Sequence, residues 1–159
     1  MSHTLLFVCT GNIFRSMTAE HALRALLAPD DELRVESAGT EAVLQDMHPV
    51  VRALLEERGY DLSAHRQRKL TPEIAAPADI IVCFGRVHQQ FVQENLGLGS
   101  RLFREMTSGR VEEIPDVWEV VPEWEQRPKE SADYVRQVVG EICDTMPQLL
   151  ARARQLVER

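Results

Sequence analysis

The pattern of hydrophobic positions changes from strand-like to helical near the start of the chain. Residues 4–8 (TLLFV) are apolar on both faces of an extended segment, which is typical of a buried strand, and Gly11 follows them closely. From about Ser16 until Pro29, apolar residues recur at helical spacing on one face: Ala19, Ala22, Leu23, Leu26 and Leu27. Strand, glycine-containing loop and helix in this order predict the opening of an α/β unit.

Further strands are predicted where short segments of strand-forming residues end at turn residues. Residues 34–37 form one such segment before Gly39. Residues 80–84 are apolar on both faces and predict a parallel central strand, and residues 101–104 predict a short fourth strand. Three intervening helices are predicted from residues that start or stop a helix: Pro49 with Gly59, Thr71 with Pro72, and residues 87–95 before Gly97.

The last third of the chain contains two segments of different character. Residues 105–127 have no convincing period, and structureless segments of this length are usually functional or disordered. Trp118 and Trp124 lie in this segment, which favours a functional loop. The stretch after it predicts a long amphipathic helix that Pro147 should kink, with these residues on its apolar face: Val135, Val138, Val139, Ile142, Met146, Leu149 and Leu150.

The composition is that of one domain without a general surface for polyanions. With 159 residues, 44% of them apolar, we expect residues 1–159 to form a single α/β domain with helices on both faces of a parallel sheet. The net charge of −7 argues against nucleic acid or an anionic membrane as a partner. No apolar run approaches ~20 residues and no cationic leader precedes the first strand, so we expect a cytoplasmic protein.

The cysteines also limit the class of protein. Cys9, Cys83 and Cys143 are odd in number and widely spaced, with no CxxC pair. This pattern argues against a disulfide framework and against a zinc knuckle. At least one of the three is therefore expected to be a free thiol.

Residues 9–16 (CTGNIFRS) lie between the predicted first strand and first helix. A loop that ends where a helix begins directs backbone N–H groups and the positive end of the helix dipole at one point, which suits a phosphate dianion. The same field favours Cys9 as a thiolate nucleophile at neutral pH. Arg15 offers a planar fork for two phosphate oxygens, and Gly11 lets the backbone turn close to the ligand. Ser16 can donate its hydroxyl to the sulfur.

At these residues the sequence resembles the low-molecular-weight protein tyrosine phosphatases, whose loop reads C-x-G-N-x-C-R-S-P where this chain has CTGNIFRSM. Dispersed matches in the family's order are far more specific than the cysteine loop alone. Four further segments continue the resemblance over most of the chain: residues 37–40 (SAGT), 59–67, 78–82 and 114–118 (IPDVW).

The resemblance implies a fold and a mechanism. It implies a four-stranded parallel sheet of order 2-1-3-4, with the site at the carboxyl end of the first strand. It also implies that Cys9 forms a phosphocysteine, that Arg15 clamps the phosphate and that Asp116 is the general acid, with no metal or cofactor. The substrate would be a phosphotyrosine protein or a small aryl phosphate, and inorganic phosphate would be the product.

The resemblance implies supporting roles for the residues around this centre. Trp118 would be an aromatic wall that stacks on the substrate ring. Asn12 and Ser16 would join Ser37 and His65 in a hydrogen-bonding set that braces the loop and the thiolate. The phosphate would be bound along the loop itself, by Thr10, Gly11, Asn12, Ile13, Phe14 and Ser16.

Three positions depart from the family pattern. Phe14 stands where the family usually has a second cysteine, which protects the nucleophile by forming a reversible disulfide. Met17 replaces a proline and removes no catalytic group. Val117 replaces the proline that follows the acid, so Asp116 is expected on a less rigid loop.

Three other functions remain open on these residues. An arsenate reductase of the same fold would relay oxidation from Cys9 through Cys83, but no third thiol follows shortly after Cys83. In the family, threonine at the position of Ile13 goes with phosphoarginine, whereas a bulky aliphatic residue goes with phosphotyrosine. A non-catalytic phosphate-binding regulator would keep the clamp of Arg15 without needing the nucleophile.

Overall fold

The strands form one parallel sheet in a computed structural model that describes residues 2–159. They lie in the order β2-β1-β3-β4, and each neighbouring pair is parallel, which confirms the expected fold class and strand order. The strands are β1 (His3–Cys9), β2 (Leu33–Gly39), β3 (Ile80–Cys83) and β4 (Arg101–Leu102).

The helices begin and end largely at the predicted residues. Thr71 accepts the Ile74 N–H at 3.3 Å and caps a helix that starts with Pro72, and Gly97 ends another helix in the left-handed region at φ 67°. A 3₁₀ helix covers Trp124–Gln126. The α-helices are α1 (Arg15–Arg24), α2 (Pro49–Glu57), α3 (Pro72–Ala75), α4 (Arg86–Leu96), α5 (Phe103–Thr107), α6 (Val117–Val120) and α7 (Pro128–Val157).

Alternation along β1 divides the core between the two faces of the sheet. Leu5 and Phe7 are fully buried in a cluster with apolar residues of α1, α5 and α7. Leu6 and Val8 point the other way and are fully buried in a cluster with residues of α3 and α4. Helices therefore cover both faces, as expected, and Cys9 ends β1 on the side of α1 and α7.

The fourth strand is shorter than the predicted segment 101–104. Its last two residues belong to α5, because the Glu105 carboxylate accepts the Leu102 N–H at 3.0 Å and this cap starts a helix. The Phe103 ring then stacks on Phe84, with the ring centroids 5.3 Å apart, and this contact packs α5 against the end of β3.

Two helices differ in length or continuity from their predicted forms. α1 ends at Arg24, because residues 25–27 form a turn in which Leu26 is exposed. α7 continues through Pro147 as one helix, so this proline does not end it, and the kink stays a prediction. Within residues 2–159 no helix is both long enough and apolar enough to cross a membrane.

Candidate active site

Cys9 is the last residue of β1, and only 2% of its surface is exposed. Its Sγ lies 2.9 Å from Oγ of Ser16, in the first turn of α1. The Asn12 side-chain amide donates to the same Ser16 oxygen at 3.0 Å, so the Ser16 hydroxyl hydrogen is free to point at the sulfur. A donor in this position suits a thiolate.

Asn12 connects the nucleophile loop to β2. Its φ of 58° lies in the left-handed region, which asparagine tolerates better than most residues. The side-chain amide also donates to Ser37 Oγ at 2.8 Å, and its oxygen accepts the Arg68 N–H at 3.0 Å. Ser37 in turn donates to Glu20 at 2.5 Å. This buried chain of donors fixes the orientation of the Asn12 amide that faces Ser16.

The chain at the end of β2 runs beside the loop, and the two residues after the strand donate hydrogen bonds to two carbonyl groups of the loop. The Cys9 carbonyl accepts the Thr40 N–H at 2.9 Å, and the Thr10 carbonyl accepts the Glu41 N–H at 2.9 Å. A Cβ on Gly39 would lie 2.4 Å from the Thr10 oxygen. Only glycine at position 39 therefore allows this close approach.

Side chains from residues 65–67 hold the next two carbonyl groups. The Gly11 carbonyl accepts from the Gln67 amide at 2.8 Å, and the Asn12 carbonyl accepts from His65 Nε2 at 2.9 Å. Burial lowers the pKa of His65, so its ring is a neutral Nε2–H donor at neutral pH. Because a trans peptide directs its N–H opposite to its C=O, the N–H groups of residues 10–13 point away from these anchors.

Arg15 lies under the loop with only 2% of its surface exposed. Its Nη1 donates to the Ile114 carbonyl at 2.8 Å, and its Nη2 donates to Asp116 Oδ2 at 3.2 Å. Among residues 2–159 its buried Nε–H has no hydrogen-bond partner. One guanidinium therefore connects the cysteine loop to the segment that carries Asp116 and keeps a buried donor for an incoming acceptor.

His88, in the first turn of α4, contacts the loop from the other side. The Gly85 N–H donates to its Nδ1 at 3.0 Å, so the neutral ring carries its hydrogen on Nε2 and donates to Thr10 Oγ1 at 2.9 Å. Burial, together with the charge of Arg15, lowers the pKa of His88 to about 3. Sequence reasoning missed this residue because no local pattern connects positions 10 and 88.

The segment before Asp116 is fastened by side chains of α5 and α7. Arg104 donates to the Glu113 carbonyl at 2.7 Å, and Tyr134 donates its hydroxyl to the Pro115 carbonyl at 2.5 Å. Burial raises the pKa of Tyr134 to about 12, so the phenol remains a donor. These contacts, with the one from Arg15, carry the chain to Asp116 along a fixed path.

A cavity of about 250 Å³ opens above the loop. Cys9 and Asp116 both line it, and Trp118 lies at its edge with 57% of its surface exposed. The ring centroids of His48 and Trp124 are 6.3 Å apart at the same cavity. The sequence indicated Trp124 only as part of a functional loop and gave no indication of His48. The remaining contributors include Thr10, Gly11, Ile13, Phe14, Gln45 and Val117.

The predicted site residues thus come together in space. The cavity is lined by seven of them: Cys9, Thr10, Gly11, Ile13, Phe14, Asp116 and Trp118. The other five, Asn12, Arg15, Ser16, Ser37 and His65, brace it through the hydrogen bonds described above.

Comparison with known protein families identifies the family to which this chain belongs. Residues 4–158 match the family described as low molecular weight phosphotyrosine protein phosphatase. The chain belongs to this family. The resemblance seen at residues 9–16 and in the dispersed motifs is confirmed by this match over nearly the whole chain.

Individual members of the phosphatase family match a shorter part of the chain. It is 34% identical over 94 residues to the probable low molecular weight protein-tyrosine-phosphatase EpsP of Ralstonia solanacearum, covering 58% of this chain and 63% of that protein. It is 35% identical over 89 residues to Etp of Escherichia coli, covering 54% and 57%. The chain therefore spans less than two thirds of the length of the curated relatives it matches first.

Solved structures of the phosphatase family match the whole fold. The tyrosine phosphatase AmsI of Erwinia amylovora is 26% identical with a TM-score of 0.74, covering 95% of this chain and 93% of that one. The YwlE arginine phosphatase of Geobacillus stearothermophilus is 23% identical with a TM-score of 0.77, covering 96% and 94%. At 23% identity, the likeness to the YwlE structure shows a shared fold alone.

The departures from the phosphatase pattern in the nucleophile loop have a packing role. Phe14 is 8% exposed and Met17 is fully buried, and both belong to the core cluster beneath the loop. A larger apolar side chain therefore fills the space beside Cys9 where the family usually has a second cysteine. Cys9 has no neighbouring thiol within its loop.

The other two cysteines are free thiols in the core. Cys83 ends β3 fully buried, and burial raises its pKa to about 12. Cys143 is partly buried on α7, where burial also raises its pKa. Both thiols are therefore protonated at neutral pH, which does not favour a thiol relay. Among residues 2–159 no cluster of three His, Cys, Asp or Glu side chains could hold a metal ion.

Proposed function

We propose that this protein hydrolyses phosphotyrosine and related aryl phosphate monoesters in two steps through a phosphocysteine. The observation that carries the proposal is that two groups line one cavity and a third contacts one of them. The Cys9 sulfur and the Asp116 carboxylate line it, and the Arg15 guanidinium contacts that carboxylate from below. A nucleophile, a charge clamp and an acid are what in-line phosphoryl transfer requires.

In the first step the Cys9 thiolate attacks phosphorus, forming a P–S bond while the P–O bond to the aryl group breaks. The N–H groups of residues 10–13 and the Arg15 guanidinium hold the equatorial oxygens, and the buried Nε–H of Arg15 is available for one of them. The phosphate dianion competes with Asp116 for Arg15 Nη2. Asp116 enters the step protonated and gives its proton to the leaving phenolate.

In the second step a water molecule attacks the phosphocysteine. The Asp116 carboxylate takes a proton from this water as the new P–O bond forms and the P–S bond breaks. The sulfur leaves as a thiolate, which the Ser16 hydroxyl stabilises from 2.9 Å, and inorganic phosphate is released. The acid is thereby protonated again for the next cycle.

The walls of the cavity support an aromatic substrate. Ile13 offers an apolar surface beside the nucleophile, and the rings of Trp118 and Trp124 border the same space. Stacking on an aromatic ring is worth about 0.5–1.5 kcal/mol beyond the buried area. A phosphotyrosine side chain in a protein, or a small aryl phosphate, has the shape and charge for this cavity.

We also propose a cytoplasmic setting for the reaction. All three cysteines are free, and a nucleophilic thiol persists best where the compartment is reducing. The net charge of −7 supports a protein substrate rather than nucleic acid or an anionic membrane as the partner.

The test is steady-state turnover with a chelator present. Four substrates are compared: para-nitrophenyl phosphate, a phosphotyrosine peptide, a phosphoserine peptide and phosphoarginine. We expect turnover of the first two, and no turnover with Cys9→Ser as the control for covalent catalysis. Trapping of a phosphorylated Cys9 by acid quench and mass spectrometry would identify the intermediate.

Other outcomes distinguish the alternatives. Phosphate binding without turnover of any substrate would make the protein a non-catalytic regulator. Preference for phosphoarginine would change the substrate class but keep Cys9 and Arg15. In that case Ile13→Thr should raise the preference further, whereas on the proposed function it should lower phosphotyrosine turnover.

A further inference from the structure

Asp116 is held by a reciprocal pair of hydrogen bonds with Glu119. The Asp116 N–H donates to Glu119 Oε2 at 2.6 Å, and the Glu119 N–H donates to the Asp116 carbonyl at 3.1 Å. Asp116 is the N-cap of the short helix α6, and Glu119 occupies its third position. This arrangement is a capping box, in which the glutamate side chain holds the backbone of the cap residue.

The carboxylate of Asp116 is held at both oxygens. Oδ1 accepts the Val117 N–H at 2.7 Å, and Oδ2 accepts Arg15 Nη2 at 3.2 Å. A proline at position 117 has no N–H and could not make the first of these bonds. Backbone and side chain of the acid are therefore both fixed by contacts that this particular turn provides.

The turn has the backbone shape that a proline would impose. Asp116 has φ −75° and ψ 163°, the extended conformation to which a following proline restricts a residue. Val117 is the first residue of a helix, a position where proline is favoured. Valine does not enforce this conformation covalently, so the bond from the Asp116 N–H to Glu119 is a restraint on this backbone that the turn needs in place of proline.

Glu119 itself is not placed to be the acid. Its side chain is exposed, and it borders a neighbouring cavity rather than the one that Cys9 lines. Its Oε2 is engaged by the Asp116 N–H. Its effect on chemistry at Cys9 must therefore pass through Asp116.

We propose that Glu119 is a positioning residue for the general acid, and that its bond to the Asp116 N–H replaces the restraint that proline at position 117 would give. The inference rests on the proposed function. Its specific consequence is that loss of Glu119 mimics partial loss of Asp116, while proline at position 117 compensates for that loss.

The experiment measures kcat/KM, which reports formation of the phosphocysteine, for phenyl phosphate and para-nitrophenyl phosphate. Phenolate is the poorer leaving group and needs its proton more. Because full removal of a general acid costs about 10²–10⁴-fold, Glu119→Ala should lower kcat/KM about tenfold for phenyl phosphate and no more than about twofold for para-nitrophenyl phosphate. Glu119→Gln should keep most activity on both, since its amide oxygen accepts the same N–H.

The rescue variant combines Glu119→Ala with Val117→Pro. Proline restores the extended conformation of Asp116 but removes the N–H that Oδ1 accepts, so kcat/KM for phenyl phosphate should recover by about half of the lost factor on a logarithmic scale and not in full. Glu125→Ala, which removes an exposed glutamate from the following 3₁₀ helix, serves as the matched control. Amide hydrogen exchange gives a readout independent of activity, because the Asp116 N–H should exchange faster in Glu119→Ala.

Equal losses on both substrates in Glu119→Ala, or no recovery with proline, would overturn the positioning role. Slow exchange of the Asp116 amide in Glu119→Ala would do the same. Failure of the proposed function has a different signature, since the wild-type protein would then turn over neither substrate. If the wild type is active and Asp116→Asn discriminates between the substrates while Glu119→Ala does not, only the present inference fails.

Discussion

The loop that carries Cys9, the proposed nucleophile, and the turn that carries Asp116, the proposed acid, are held by different kinds of contact. The loop, residues 9–16, receives hydrogen bonds from the two residues after β2, from residues 65–68 and from His88, all far away in the sequence. The turn at Asp116 is closed by Glu119, three residues later, and is largely exposed. Arg15 is the side chain that contacts both.

The difference separates two kinds of mutational effect. A loop held by distant groups exists only when the whole domain is folded, so damage to its braces should lower stability and activity together. A turn that is closed by one of its own exposed residues can be altered at that residue while the core stays intact. Variants of this turn should lower the rate more for substrates with a poor leaving group than for those with a good one. They should leave the free energy of unfolding nearly unchanged.

The largest effect is expected at the nucleophile itself. Cys9→Ser should abolish turnover of every substrate, because a hydroxyl in this position ionises far too weakly to attack phosphorus. The side chains are similar in size, so phosphate should still bind and the melting temperature should change little. Isothermal titration with phosphate and an activity assay check both points. Turnover by Cys9→Ser at the wild-type rate would exclude a covalent mechanism through Cys9.

Arg15→Lys tests the connection between the two regions. We expect a loss of about 10³–10⁵-fold in kcat, because a point charge cannot reproduce the planar fork that binds phosphate and stabilises the transition state. The contact with the Ile114 carbonyl should also weaken, so Asp116 should lose part of its placement. Kinetics on activated and unactivated aryl phosphates measure both effects. Retention of most activity would assign Arg15 a structural role only.

Asp116→Asn sharpens the comparison on the side of the turn. Hydrolysis of a phosphotyrosine peptide should fall by about 10²–10⁴-fold, and that of para-nitrophenyl phosphate should fall less, since its leaving group departs with little protonation. Thermal unfolding should be close to that of the wild type. The assignment of the acid is wrong if a nearby variant such as Glu113→Gln shows this leaving-group dependence and Asp116→Asn does not.

Asn12→Ala is the corresponding change on the side of the loop. It removes side-chain bonds to Ser16, Ser37 and the Arg68 N–H and places alanine in the left-handed region. We expect a loss of about 2–4 kcal/mol in the free energy of unfolding, together with most of the activity. Urea denaturation compares it with Glu119→Ala, which should lose less than about 1 kcal/mol. Similar losses of unfolding free energy in Asn12→Ala and Glu119→Ala would show that the loop and the turn do not differ in this way.

The smallest effect concerns the pH dependence of stability through His88. An unfolded histidine takes up a proton below pH 6.5, whereas the folded ring has a pKa of about 3. Between these values acid favours the unfolded chain, so the free energy of unfolding should fall by up to about 1.4 kcal/mol per pH unit from this group. Urea denaturation at pH 7 and pH 5 should show a flatter dependence for His88→Gln, which does not titrate. An unchanged slope would contradict the neutral buried state.

Local signals in the sequence predicted the frame of the molecule. Apolar runs predicted the strands, and residues such as Pro49, Thr71 and Gly97 predicted where helices begin and end. The loop from Cys9 to Ser16 follows from its position between a strand and a helix. These features are encoded within a few residues of each other, which is why they can be read without the structure.

Contacts between distant segments were not predictable in the same way. Nothing near Thr10 indicates that it contacts His88, because that contact depends on where α4 leaves the sheet. β4 is shorter than predicted because the Glu105 side chain caps a helix that begins at Phe103. The same residues could extend the strand, and the sequence alone does not show which of the two forms. Asp116 and Glu119 are different: an aspartate followed three residues later by a glutamate is a capping signal, and it is present in the sequence.

The outward anchoring of the carbonyl groups at residues 9–12 also determines the electric field of the cavity. Each anchored peptide unit is a dipole whose positive N–H end points away from its anchor. In water, solvent dipoles must reorient as charge moves from sulfur to an aryl oxygen, and that reorganisation is a large part of the barrier. On the proposed mechanism the dipoles are already oriented when the chain folds, so the work of arranging them is done once per folding event and not once per turnover.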